Sequence, residues 1–318
     1  PPISSDPPFH QIARKLLLGP FAPTAVAELE AGTRNTCRAL IAEMLAEAEA
    51  NDGVVDAAVS YTQHIPVRVI AQMLGLPESD GDRFRQFIHR ILEKPGQVPV
   101  EPGNTMADYL AGVIAERRAD PGDDLISYLV TADIEGVPLT DDHVFGSIAL
   151  LLIAGIDTTW SAIGSSLWHL AQNPHHLDRL HEDPDVWPFA IEEFLRYYAP
   201  VTMARIAETD VEYNGVHINR GDKILMNFPA ACHDPEQFED PDEFIIDRAR
   251  NRHIAFGSGI HRCAGSNLAR LEMTTAIKVW LERIPEFRLR EGEPMKWAGG
   301  QVRGPRVLPV SFPAGTPR

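Results

Sequence analysis

Phe256-Gly257-Ser258-Gly259-Ile260-His261-Arg262-Cys263-Ala264-Gly265 sets one cysteine among glycine-rich turns, directly ahead of a long amphipathic helical pattern. A sulfur at a helix N-terminus lies near free backbone N–H groups and the positive end of the helix dipole, which favours thiolate over thiol. Gly257, Gly259 and Gly265 keep side chains away, so a flat, bulky group can approach the sulfur closely. A thiolate presented in this way is either a nucleophile or a metal ligand.

The spacing F-G-x-G-x-H-x-C-x-G resembles the cysteine-ligand loop of the haem-thiolate monooxygenases, the cytochromes P450. That resemblance implies haem b with Cys263 as the axial iron ligand. A thiolate ligand pushes electron density toward bound oxygen and favours O–O cleavage. It further implies that Phe256 shields the sulfur face and that Gly257, Gly259 and Gly265 shape the haem loop. His261 would be a partner for a haem propionate.

Composition agrees with a globular enzyme. The chain has 318 residues with 44% hydrophobic content, enough for a large core. Acidic residues exceed basic ones by 45 to 29, for a net charge of −16, which argues against nucleic acid or an anionic membrane as partner. The most apolar run, Ile148 to Ile156, is too short to span a bilayer and runs into Asp157, so no membrane anchor is expected. Cys37, Cys232 and Cys263 are odd in number and far apart, which fits a reducing cytoplasm. The opening Pro1-Pro2-Ile3-Ser4-Ser5-Asp6 has no starting methionine. The family resemblance begins partway into the usual pattern, which implies that N-terminal strands, the first helices and one substrate-facing loop are not included. No linker divides the chain, so a single domain over 1–318 is expected.

His10 and Arg14 are four apart and share one helix face. Alone they read as a surface pair; the resemblance makes them propionate partners, for which cationic donors are suited. One helix is expected over Pro23 to Ala50, with Cys37 packed as a small apolar side chain. Others are expected over Ala57 to Leu74, Asp80 to Glu93, Thr105 to Arg118 and, capped by Asp123-Asp124, through Val130. Lys94 to Pro99 reads as a Pro/Gly-rich connection, which in the family belongs to a mobile lid over the substrate.

Thr140-Asp141-Asp142 is a strong helix start, and Asn173-Pro174 a stop. The roughly 33 residues between them make a helix about 50 Å long. Its apolar first half implies burial, yet Ala154-Gly155-Ile156-Asp157-Thr158-Thr159 sits inside it. A buried Gly costs about 1 kcal/mol against Ala, and a buried carboxylate needs partners, so a kink or opened groove is expected. The residues alone allow a solvated kink or a proton relay. The pattern A-G-x-D-T matches the family's oxygen-activation motif, which implies that Asp157 supplies protons and Thr158 holds the distal water. Ala154 and Gly155 would then border the substrate pocket.

Glu193 and Arg196, three apart in a helical run, predict an intrahelical ion pair. In the family it is a buried structural pair completed by a later arginine, here Arg248. After Pro200 the chain becomes extended. The resemblance makes Arg205 a propionate arginine and has Val201, Thr202 and Met203 line the pocket, with the turn at Gln301 reaching back to it. Short antiparallel strands are expected from Arg205 to Met226, the clearest hairpin turning at Asn214-Gly215.

The fold implied is mainly α with small antiparallel β-sheets. The activity implied is insertion of one oxygen atom from O₂ into a small apolar organic substrate, by hydroxylation or epoxidation. No flavin or reductase segment is attached, so electrons would come from a separate ferredoxin. A cysteine-nucleophile enzyme using His261 leaves Asp157, Thr158 and Arg205 without a role. A haem-binding gas sensor leaves the Asp157-Thr158 pair without one.

Overall fold

The computed structural model describes residues 4–50, 53–93 and 103–313. Helices dominate these residues; the strands are short and pair antiparallel in one three-stranded and four two-stranded sheets. The fold is mainly α with small antiparallel sheets. The Lys94–Pro99 connection lies outside the described residues.

The central helix, Asp141–Gln172, starts where its sequence requires. The Thr140 side chain accepts from the His143 backbone N–H, and Asp141 and Asp142 occupy the first turn. It then continues for 32 residues without interruption. At Ala154–Thr159, where the sequence predicts a kink or opened groove, a threonine hydroxyl bonds back to the preceding turn, the kind of bond that bends helices. Thr158 donates its hydroxyl to the Ala154 carbonyl at 2.7 Å within helical geometry, and the charge of Asp157 is met by a strand outside the helix. By length and composition the helix could cross a bilayer, but 56% of its most apolar stretch is buried inside the fold.

This helix threads two hydrophobic clusters. Val144, Ile148, Leu152 and Ile156 pack with helices His64–Leu74, Gly81–Ile88, Met106–Ala119 and Leu125–Thr131. Ile163, Leu167 and Leu170 pack instead with Glu30–Ala50, Trp187–Tyr197 and the post-cysteine helix Ser266–Arg283. Each such side chain, fully buried, contributes about 1.5–3 kcal/mol. Asp157, Thr158 and Ser161 fall where one cluster gives way to the other, and the seam is where the helix can carry polar groups.

Helix boundaries differ from the expected ones for local reasons. Pro23 to Ala50 divides into Pro23–Ala27 and Glu30–Ala50, because the Leu29 N–H turns back to the Val26 carbonyl before a new ladder begins. Ala57 to Leu74 divides into a wide turn, Ala58–Thr62, and His64–Leu74; Asp56 accepts from the N–H groups of Ala58 and Val59 and fixes that turn. Val54–Asp56, not anticipated as a strand, pairs with Pro309–Ser311, which pairs in turn with Arg288–Leu289. The anticipated hairpin forms as Val211–Tyr213 against Val216–Ile218. Met203–Ile206 pairs with Lys223–Met226.

Candidate active site

Gly257 and Gly259 have φ of +71° and +70°, values that a side-chain-bearing residue rarely adopts, and they fold the cysteine loop back on itself. The Cys263 N–H closes the loop on the Phe256 carbonyl at 2.8 Å. A methyl group at Gly265 would lie 4.0 Å from the Cys263 sulfur, so this glycine keeps one approach to the sulfur narrow in side chains. The half-buried Phe256 ring carries the Arg270 guanidinium 4.6 Å above its centroid. A cavity of about 470 Å³ opens beside the sulfur, with Arg14, Phe21, Gly259, Arg262 and Asn267 in its wall.

The post-cysteine helix begins at Ser266, and burial of the sulfur raises the thiol above its ordinary value. The Gly265 N–H and the charges of Arg14, Arg262 and Arg270 oppose that rise without cancelling it. The residue nevertheless keeps an exposed face. The basic groups acting on the sulfur are arginines, whereas a cysteine nucleophile needs an imidazole base.

Four basic residues from three separate segments gather next to this loop. His10 and Arg14 ride the first helix, Phe9–Leu18, and the His10 ring lies 4.3 Å from that of His261, centroid to centroid. Arg14 donates to the Arg262 carbonyl of the cysteine loop. Burial pushes His261 below its usual value, and the charges of His10, Arg205 and Arg14 push it further. Arg205, on Met203–Ile206, therefore belongs to the same cluster. Its guanidinium donates to the neighbouring Ala204 carbonyl at 2.9 Å. His10 is 2% exposed, and neither of its ring nitrogens has a hydrogen-bond partner among the described residues.

Glu193 anchors a second polar assembly. Arg196 meets it with two hydrogen bonds of 2.8 Å, and Arg248 adds contacts of 3.2 and 3.1 Å. Glu193 and Arg196 are wholly buried. Arg196 also donates to the carbonyls of Cys232, Pro241 and Glu243, so its guanidinium pins the irregular stretch before the cysteine to the helix. Two partners escaped the sequence reading. Asn251 donates to Glu193 at 3.0 Å. The adjacent Glu192 takes Arg270 in a fork of 2.5 and 2.8 Å and His253 at 3.0 Å, tying the pair's helix to the post-cysteine helix.

On the central helix, Ala154 is exposed and Gly155 and Thr158 are half-buried, which marks one open face. Asp157 is 1% exposed and points elsewhere, to Arg306 at 2.7 Å. Arg306 was not a candidate residue, since a lone arginine in a C-terminal strand carries no signal in sequence. Val201, Thr202 and Met203 meet the Gln301 turn: Thr202 N–H donates to the Gln301 carbonyl at 2.9 Å, Val201 bridges Val302, and the Gln301 amide reaches the Met203 sulfur at 3.7 Å.

Haem, which the cysteine motif implies, fits this residue set. A single sulfur supplies one axial ligand, glycines leave a side-chain-free approach, and imidazole and guanidinium groups next to it suit two carboxylates. The buried, unpartnered nitrogens of His10 need such an acceptor. Among the described residues no group of three or more histidines, cysteines or acids could hold a bare metal ion.

Comparison with known proteins points the same way. The family model described as Cytochrome P450 matches residues 79–187 and 188–294. The polyketide biosynthesis cytochrome P450 PksS of Bacillus subtilis is 34% identical over 317 residues, covering 98% of this chain and 77% of that protein. The cytochrome P450 monooxygenase PikC of Streptomyces venezuelae is 35% identical over 320 residues, covering 98% and 76%. The crystal structure of CYP109E1 from Bacillus megaterium in complex with testosterone superimposes with a TM-score of 0.87 at 34% identity, covering 98% of this chain and 86% of that one. The chain belongs to the cytochrome P450 family and is a haem-dependent monooxygenase, an oxidoreductase.

Proposed function

We propose that this chain works as one haem-thiolate domain, with Cys263 as the iron ligand, inserting an oxygen atom from O₂ into a C–H or C=C bond of a small apolar substrate. The bound haem supplies oxygen activation, and the thiolate ligand favours O–O cleavage. His10, Arg14, Arg205 and His261 hold its propionates, and Phe256, Gly257, Gly259 and Gly265 shape the loop around the sulfur. Thr158 holds a water on the open face of the central helix, and Asp157 supplies protons to it. Ala154, Gly155, Val201, Thr202, Met203 and Gln301 border the substrate; Ala154, Gly155, Val201 and Met203 are apolar, which suits an apolar molecule, and CYP109E1 was solved with testosterone. Electrons come from a separate ferredoxin, and the chain works in the cytoplasm.

The observation that carries this reading is the convergence of His10, Arg14, Arg205 and His261 beside Cys263, with His10 buried and its nitrogens unpartnered among the described residues. The reduced, CO-treated protein tests it. Wild type should give the red-shifted Soret band of thiolate-ligated haem, and Cys263→His should give the band of an imidazole-ligated one. An identical spectrum from both would remove Cys263 as ligand.

A further inference from the structure

Arg306 belongs to none of the motifs read from the sequence, yet it makes the most exacting contact on the central helix. It lies on the strand Gly304–Val307, whose pairing with Lys296–Ala298 slips by one residue: Pro305 faces Trp297 and Val307 faces Lys296, with Arg306 left over between them. An extra residue of this kind bends a strand and re-aims its side chain. Here it aims at the central helix. One guanidinium nitrogen donates to Asp157 at 2.7 Å and another to the Ser161 hydroxyl at 3.0 Å. The guanidinium also stacks 4.3 Å from the centre of the Trp160 ring.

The strand is held close for this purpose. A Cβ on Gly304 would come within 2.4 Å of the Ser161 Cβ, so only glycine lets the backbone approach this near. Asp157 and Ser161, four apart, form the face met by the strand, while Ala154 and Thr158, also four apart, form the open face. The carboxylate is thus held at the strand side of the helix, one residue from Thr158. Its side chain is 1% exposed and that of Arg306 is 13% exposed, so bulk water does little to screen the pair.

We propose that Arg306 is the positioning residue for Asp157, its two-pronged span of Asp157 and Ser161 fixing where the carboxylate stands while protons are delivered. This rests on Asp157 being the proton supplier. A lysine carries the charge without the fork and cannot bridge both positions, and a neutral side chain removes the charge facing a buried carboxylate, which then takes up a proton.

The test is a cycle of Arg306→Gln, Arg306→Lys, Asp157→Asn and the Gln/Asn double variant, in haem-loaded protein with its electron donors. Arg306→Gln should lower product formed per electron by about tenfold, with the difference released as hydrogen peroxide. Arg306→Lys should show a smaller loss of the same kind. Arg306→Gln should add nothing in the Asp157→Asn background, because both act at one carboxyl. Infrared difference spectra supply a readout independent of turnover: a protonated-carboxyl band at neutral pH in Arg306→Gln, additional to that of the buried Glu272, which burial raises well above the ordinary carboxyl value, and missing from wild type and from the double variant. Losses that multiply in the double variant, or the absence of that band, would overturn the proposal. So would a fully coupled Arg306→Lys, even if Arg306→Gln fails to retain haem. Asp157→Asn coupled like wild type would sink the proton-supply reading itself, whereas an impaired Asp157→Asn beside an unaffected Arg306→Gln sinks only the role of Arg306.

Discussion

Arg196 and Arg248 enclose a carboxylate of their own chain, whereas His10, Arg14, Arg205 and His261 crowd together with Asp6 as the acid acting on His261. The Glu193 assembly is built from residues across the irregular stretch, wholly buried at its centre, and closed by carbonyls and Asn251. The His10 cluster is drawn from the first helix, a strand and the cysteine loop, and it keeps buried nitrogens without hydrogen-bond partners among the described residues. One arrangement satisfies its cations internally and is therefore architectural. The other gathers two guanidiniums and two imidazoles beside a sulfur and fits an external dianion, the role given above to the haem propionates. Removing a member of each should give opposite results.

Glu193→Ala should have the largest effect, since it strands two arginines in the interior. Breaking a buried pair of this kind costs about 3–5 kcal/mol, a large share of a domain's stability. Urea unfolding should show a greatly reduced midpoint or no cooperative transition at all. A normal midpoint would mean that the backbone carbonyls alone satisfy Arg196 and Arg248. Arg14→Ala should act on haem retention instead. A hydrogen bond to a charged group is worth about 1.5–3 kcal/mol, so haem transfer to a scavenging apoprotein should speed up by about tenfold to a hundredfold while helical content is kept. Loss of fold in Arg14→Ala would erase the contrast between the clusters.

The sequence was most legible where partners are close along the chain. Glu193 and Arg196 are three apart, and the Thr140 cap and the Asn214-Gly215 hairpin are equally local. Asn251 lies 58 residues from Glu193 and Arg270 lies 78 from Glu192, distances at which helical periodicity carries no information. Arg306 is 149 residues from Asp157, and its aim depends on a one-residue slip in strand pairing that no composition signals. For the buried Asp157, the sequence shows that a partner is needed but not that the partner comes from a distant strand. Proximity of Cys263 to a helix start is visible in sequence, while the way the loop and three arginines surround the sulfur is not.

Acid should sharpen the contrast with the smallest change per step, because it attacks the Glu193 side through two imidazoles. His169 accepts or donates to Tyr198 at 2.7 Å and to His176 at 2.8 Å, and its ring lies 3.9 Å from that of Phe244. The next residue, Ile245, gives its N–H to Glu193, so this packing adjoins the assembly directly. Burial holds His169 down at about 3 and His176 at about 4, with neighbouring histidines adding to both shifts. Both fold neutral, while the unfolded chain takes up protons near the ordinary value of about 6.5. Unfolding therefore binds protons, and stability falls as pH drops below about 6.5. For the well-buried His169 the loss is about 1.4 kcal/mol per pH unit until its folded value is approached. Glu192 joins only lower down. Burial alone would raise it, but Arg270 and His253 hold it at about 2, so its contribution is lost only as pH falls below the ordinary glutamate range. Urea midpoints taken between pH 7 and 5 should decline in wild type and decline less in His169→Phe, which keeps a ring against Phe244 without the titration. Equal slopes would place the acid-sensitive groups elsewhere.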